Sequence, residues 1–373
     1  MQVYQNLNGP KRDESFYFDD GSCIIRVQDT LFNVHRSVLS RDSSSFSTMF
    51  SLPQGGKLSE GCSDDNPVAL SGDTVSEFKH FLWALYALPS DIAALSSEGG
   101  NLALLIDITH IANKYSFKST ETWALDAIYK RVIQYTNSPK PDGTTPQLSL
   151  DMTLNPITRL LRLTQICNHQ PLLDTLISIL TQLTKSSIRH AFMAMAIADE
   201  LDIPTLRGIS YLEVLHNYPI DKWSMPALVH TGQNGESASG AQKDSSDDET
   251  SVITPSQRMR LLSGYHRLAK TWERLRTTPP EFEHALACGA TWHQQGCTLS
   301  WMDFWREKSR SEGVLSLSVA DVVGKLKYIQ REYDRLSGTT YMHLECRRQA
   351  RNRLTEIIKQ IEDSLSEVFS DPL

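Results

Sequence analysis

The sequence predicts an α+β region at the N-terminal end followed by all-α regions. Three observations carry this. A short β-branched run, Cys23-Ile24-Ile25-Arg26-Val27, follows the turn signal Asp20-Gly21. It leads through Gln28-Asp29-Thr30 into Leu31-Phe32-Asn33-Val34, which is the pattern of a hairpin. From Thr74 onward the apolar residues fall mostly at helical spacing. Finally, residues 231–251, TGQNGESASGAQKDSSDDETS, contain alanine as their one apolar type and no aromatic residue. Such a stretch buries too little surface to offset its ordering entropy and reads as a solvated linker.

The elements follow in order. His35 to Leu39 predicts the start of a helix, and Ser43 to Phe50 a second one with Ser43 as its N-cap. Val68-Ala69-Leu70 reads as a short strand. Val75, Phe78, Phe81, Leu82, Leu85 and Tyr86 share one helical face. Leu102, Leu105, Ile106, Ile108 and Ala112 mark the next helix, and Trp123, Ile128 and Val132 another. Residues 137–150, with three prolines and a glycine, interrupt the pattern. Pro156 to Leu215 is helical throughout, with Pro204 placed to open a new helix. Beyond the linker, helices are predicted over Arg258–Arg276, Trp301–Glu312, Ser318–Leu336 and Tyr341–Phe369. The expected organisation is an α+β domain over 14–136, a helical extension over 150–220, a disordered acidic linker over 230–252 and an all-α domain over 253–373.

Composition bounds the function. The 373 residues include 37 Lys and Arg against 44 Asp and Glu, a net charge of −7. That balance argues against a general nucleic-acid binder. The charge is uneven: from Thr254 onward there are 18 basic and 15 acidic residues, and before it 19 and 29. The front and linker are acidic and the back is mildly basic. No run approaches 18 apolar residues, so no membrane span is expected. The N-terminal MQVYQNLNGPKRDE lacks the apolar core of a signal peptide. Six cysteines in a chain this long are not a disulfide scaffold. A reducing cytoplasmic or nuclear compartment is the expectation. The glycine-rich phosphate loops, H-E-x-x-H and G-x-S-x-G do not occur, and a non-enzymatic protein is expected.

Three of the cysteines gather near the C-terminus. In HALACGATWHQQGC the spacing is Cys288-x4-His293-x3-Cys297, and YMHLEC places His343 three residues before Cys346. On a helix, an i, i+3 pair projects from one face, as two ligands of one metal would. Structural zinc takes four Cys or His ligands in a tetrahedron. Cys288, Cys297, His343 and Cys346 would supply them, with His293 as an alternative ligand. The other readings are buried free thiols in a helical core and a redox or disulfide pair. Trp301 and Trp305, four apart on a predicted helix, read as core. Arg347, Arg348, Arg351 and Arg353 share the last helix with Glu345, Glu356, Glu362 and Asp363, which reads as a solvated face and argues against nucleic-acid contact.

Residues 16–50, FYFDDGSCIIRVQDTLFNVHRSVLSRDSSSFSTMF, resemble the opening of a BTB/POZ domain. The matching positions are Phe32, His35, Arg36 and Leu39, then Ser43, Phe46, Met49 and Phe50. Phe78, Lys79, Leu82 and Tyr86 resemble the family's central helix, and Ala112, Lys114 and Tyr115 its later Ala-x-Lys-Tyr helix. Over about residues 14–136 the resemblance implies a small sheet capped by helices, which serves as a protein–protein interaction and homodimerisation module. Phe16, Phe18 and Val38 then stand where the dimer face would be. Phe32, His35, Leu39, Phe46, Met49, Phe50, Phe78, Tyr86 and Tyr115 would be motif and core residues, with His35 a hydrogen-bonded structural histidine. VHRSVLSRDSSSFSTMFSLPQ, TWERLRTTPPEF and TWHQQGCTLSWMDFW also resemble the BTB proteins expanded in mushroom-forming fungi. The resemblance further suggests an adaptor for a cullin-type ubiquitin ligase or a BTB-type transcriptional regulator. However, Phe78-Lys79-His80 lacks the acid that cullin adaptors often carry there. The cysteine cluster also lacks the spacing of DNA-binding zinc fingers.

Overall fold

The computed structural model describes residues 9–52, 60–97, 99–137, 154–218, 253–289, 291–335 and 341–371. The predicted linker over 230–252 lies outside them. The chain divides into two compact units, Met1–Ile179 and Leu180–Leu373. The division therefore falls inside the helical extension predicted over 150–220, not at the acidic stretch.

The first unit begins with a four-stranded mixed sheet. β1 (Lys11–Tyr17), β2 (Cys23–Val27), β3 (Thr30–Val34) and β4 (Val68–Leu70) lie in the order β1-β3-β2-β4. β2 and β3 form the antiparallel hairpin, with Ile25 opposite Phe32 and Val27 opposite Thr30. β4 joins β2 in parallel and β1 joins β3 in parallel. Four of the five residues of β2 are buried, as expected of an inner strand whose side chains all meet neighbours. β1 is an edge strand with a largely exposed, polar sequence.

Helices cover this sheet. α1 (Arg36–Leu39) and α2 (Ser45–Ser51) follow the hairpin. Ser44, not Ser43, caps α2: its hydroxyl accepts the Ser47 amide, while Ser43 has a left-handed φ of 53°. α3 (Val75–Tyr86) starts at a capping box, in which Thr74 and Glu77 each accept the other's backbone amide at 3.2 Å. α4 (Pro89–Ser96), α5 (Leu102–Lys114), α6 (Lys118–Asn137) and α7 (Leu154–Ile166) complete the set, and α8 (Gln170–Ser186) contains the boundary. The core joins Ile25, Val27, Phe32 and Val34 of the sheet to Phe46, Phe78, Phe81, Leu82 and Phe117. Phe78 meets Phe32 edge-on at 5.2 Å, and Tyr115 stacks on Phe46 at 4.7 Å. α7 is held to α3 and α5 by Arg159, which reaches Asp107 at 2.7 Å and Glu77 at 3.0 Å.

The second unit is all α. It combines α9 (Ile188–Glu200) and α10 (Pro204–Asn217) with α11 (Pro255–Thr277), α12 (Thr291–Lys308), α13 (Glu312–Leu315), α14 (Val322–Arg335) and α15 (Leu344–Val368). Helices from both sides of the acidic stretch share one core: Tyr211 and Val214 belong to the same cluster as Leu261, Trp305, Leu354 and Phe369. At Gly208, a Cβ would lie 2.9 Å from the Leu365 backbone, so the close approach of α10 and α15 requires glycine. Trp301 and Trp305 are buried, and their indole N–H groups donate to Pro280 O at 2.7 Å and Leu275 O at 2.8 Å. α12 starts ten residues before the predicted Trp301, so the tryptophan-rich stretch is helix.

Candidate metal centre

Three short segments of the second unit converge on the C-terminal cysteines. A single 3₁₀ turn, Leu286–Cys288, ends at Gly289, whose φ of 66° and ψ of −110° suit glycine. That turn directs the chain from Cys288 toward α12, which carries Cys297 one and a half turns in. The first residues of α15 carry Cys346. All three cysteines are free and buried.

Cys288 Sγ and Cys297 Sγ are 3.9 Å apart. Cys346 Sγ is 3.7 Å from His284 Nδ1. The ligating atoms of His284, Cys288 and Cys346 all lie within 4.8 Å of one another, so these three could hold a metal ion. Two backbone amides point at sulfur: Ala285 N–H donates to Cys346 at 3.4 Å, and His343 N–H donates to Cys297 at 3.3 Å. His284 is anchored from its other side, with Nε2 3.1 Å from Thr298 Oγ1. Burial first, and the thiols of Cys346 and Cys297 next, push the Cys288 thiol up to about 12.

Of the four sequence-predicted ligands, Cys288, Cys297 and Cys346 are brought together and His343 is not. α15 begins at Leu344, so His343 is its N-cap with extended backbone, and the i, i+3 geometry does not apply. Its side chain is exposed and only its amide serves the cluster. His293, the alternative, is exposed and its ring lies tilted against the exposed Trp292. The imidazole at the cluster belongs to His284, which sequence reasoning missed. Its signal is His284-x3-Cys288, an ordinary metal-ligand spacing that opens the HALAC stretch.

In the first unit, His35 is a junction residue. Tyr86 Oη receives the His35 backbone amide at 3.1 Å and lies 2.9 Å from His35 Nδ1, while Nε2 faces Asp20 at 3.4 Å. With the phenol donating to Nδ1, the imidazole proton sits on Nε2, toward the carboxylate. Leu39 and Phe46 are buried, and Met49 and Phe50 pack partly buried against the same core. Of the candidate dimer-face residues, Val38 is buried, and Phe16 and Phe18 are half-buried around Tyr86, at 6.3 and 5.1 Å. Tyr115 and Lys114 close on one group: Lys114 Nζ reaches Asp73 Oδ1 at 2.6 Å, and Tyr115 donates to Asp73 Oδ2 at 2.5 Å. His80 sits 2.7 Å from Asp107.

No helix among the described residues is long and apolar enough to cross a membrane. Compared with known proteins, the chain matches no family model, no curated protein and no solved structure.

Proposed function

We propose that the chain is a non-enzymatic protein–protein interaction protein, which dimerises through its N-terminal sheet-and-helix unit and presents its helical regions to partners. The observation that carries this reading is the half-buried aromatic group of Phe16, Phe18 and Tyr86 at the end of β1. It lies where the BTB-like pattern of residues 16–50 would put a dimer face. His35, the histidine of the motif, is tied to Tyr86 and serves the sheet–helix junction. The four arginines of α15 are already engaged by Asp334, Glu345, Glu356 and the Tyr333 carbonyl, so a nucleic-acid reading is not favoured. In the same reading, the second unit carries one structural zinc ion.

Light scattering tests the interaction. A homodimer that persists on dilution is expected, and Phe16→Asp together with Phe18→Asp should yield monomer. A wild-type chain that runs as a clean monomer at all concentrations overturns the dimer.

A further inference from the structure

We propose that the second unit binds one zinc ion through Cys288, Cys297, Cys346 and His284 Nδ1, with Thr298 as the positioning residue that selects this nitrogen. The proposal rests on the zinc reading above and names its ligands and their orientation.

Two of the distances fit the ion directly. Tetrahedral zinc, with bonds of about 2.3 Å to sulfur and about 2.0 Å to nitrogen, sets two sulfurs about 3.8 Å apart and a sulfur and a nitrogen about 3.6 Å apart. The pairs Cys288–Cys297 at 3.9 Å and Cys346–His284 at 3.7 Å correspond to two opposite edges of that tetrahedron. The clustering of Cys288 with Cys346 and His284 joins the two edges; Cys297 stands outside that group of three, reaches it through Cys288, and closes onto the ion when the ion binds. The sulfur separation is far from the roughly 2.05 Å of a disulfide.

The histidine is oriented before any ion arrives. The Thr298 hydroxyl donates to Gln294 O at 3.1 Å, so toward His284 Nε2, also at 3.1 Å, it presents a lone pair. Nε2 must then carry the proton. Nδ1 keeps its lone pair and faces Cys346 Sγ. A neutral imidazole with its second nitrogen pinned by an outer hydrogen bond is the arrangement metal-ligating histidines use. The two amides aimed at Cys346 and Cys297 supply what a thiolate needs, a donor to each negative sulfur. A packed apolar thiol core would require neither the amides nor the imidazole. With four protein ligands the site is closed and therefore structural. It would fasten the Leu286–Cys288 turn, α12 and the first turn of α15 to one another.

The full-length chain, purified and analysed for metal, should contain one zinc per chain. After zinc removal, cobalt(II) should bind with the spectrum of a tetrahedral site of three sulfurs and one nitrogen. His343→Ala should leave stoichiometry and spectrum unchanged, and Cys346→Ser should lose the ion. His284→Ala should also lose it. His284→Cys should keep one ion, with charge-transfer absorbance increased in proportion to a fourth thiolate. This variant guards against a fold that simply fails without His284. Thr298→Val should retain the cobalt spectrum but bind about 10–100-fold more weakly in chelator competition. If His343→Ala loses the ion while His284→Ala keeps it, the ligand assignment falls and the zinc reading stands. A chain that takes up neither zinc nor cobalt overturns both, and the dimer measurement is unaffected by either result.

Discussion

Each unit has a carboxylate that collects more than one side-chain donor, Asp73 in the first and Asp199 in the second, and the two join different things. In the first unit, Asp73 has a fully buried side chain just before α3 and receives Lys114 and Tyr115 from the end of α5. In the second, Asp199 near the end of α9 receives Arg207 at 3.2 Å, Tyr211 at 2.8 Å, Gln257 at 3.1 Å and Arg260 at 2.6 Å. Asp73 closes a stretch of 41 residues that itself folds as α3, α4 and α5. Asp199 and Arg260 are 61 residues apart, and the acidic, apolar-poor stretch lies between them. The extra length alone raises the closure cost by only a few tenths of a kcal/mol, because that cost grows with the logarithm of loop length. The intervening composition matters more. Nothing in GQNGESASG can supply a core, so α9 and α10 depend on α11 and α15 for burial. Asp199, Gly208 and the Tyr211–Phe369 contact all lie on that dependence.

The two units differ most at Asp199. Asp199→Ala leaves Arg207 and Arg260, both mostly buried, short of a partner. Losing one member of such a network costs about 3 kcal/mol. Hydrogen exchange resolved along the chain should show faster exchange in α9, α10 and α11, with β2, β3 and α3 unchanged. An equal loss in both units would mean that Asp199 does not serve the second unit alone.

In the first unit, Tyr115→Phe should act more gently, because Asp73 keeps Lys114. Removing one hydrogen bond to a charged acceptor costs about 1.5 kcal/mol. Burial and the Asp73 carboxylate both raise the Tyr115 pKa, so the lost O–H is a committed donor across the ordinary pH range. Exchange should quicken in α3 and α5 and stay unchanged in α11 to α15.

How much of this was legible depends on whether a residue's signal is local. The β2–β3 hairpin and the α3 face were visible because β-branched runs and 3.6-residue spacing are written in consecutive residues. β1 was not, because Lys11-Arg12-Asp13-Glu14-Ser15 is polar and an edge strand needs no apolar alternation. The start of α12 is not legible, since His293, Gln294, Gln295 and Gly296 mask its first turns. Cys297, Trp301 and Trp305 nonetheless fall at i, i+4 and i+8. At the metal centre the three cysteines could be grouped because few others compete. Choosing the histidine needed the helix start to within one residue, since starting α15 at Leu344 instead of Tyr341 removes His343 from the ligand face. The sharing of one core by helices on both sides of the acidic stretch has no local signal at all, because a linker composition does not say what its two ends pack against.

The smallest expected effect separates the two units by pH. Asp13 is the inward-facing acid of β1, and its side chain is 6 % exposed. Burial works to raise its pKa. The hydrogen bond from Lys79 at 2.9 Å and the amides of Ser15 and Phe16 at 3.0 Å outweigh burial and hold the carboxyl below its usual range. A carboxyl depressed in the folded state stabilises fully above its unfolded value of about 3.9, and that contribution is lost as pH falls through the folded value. In the second unit Asp371 is also depressed, by Arg260 first, but its side chain is 69 % exposed and water screens the pair. Acid should therefore loosen the first unit more than the second through these two groups. Asp13→Asn should lower the unfolding free energy measured in urea at pH 6 by less than about 1 kcal/mol and remove part of the further loss between pH 4 and pH 3. If the variant and the parent chain lose stability in parallel over that interval, Asp13 does not set the acid response, and the asymmetry between the units must come from another group.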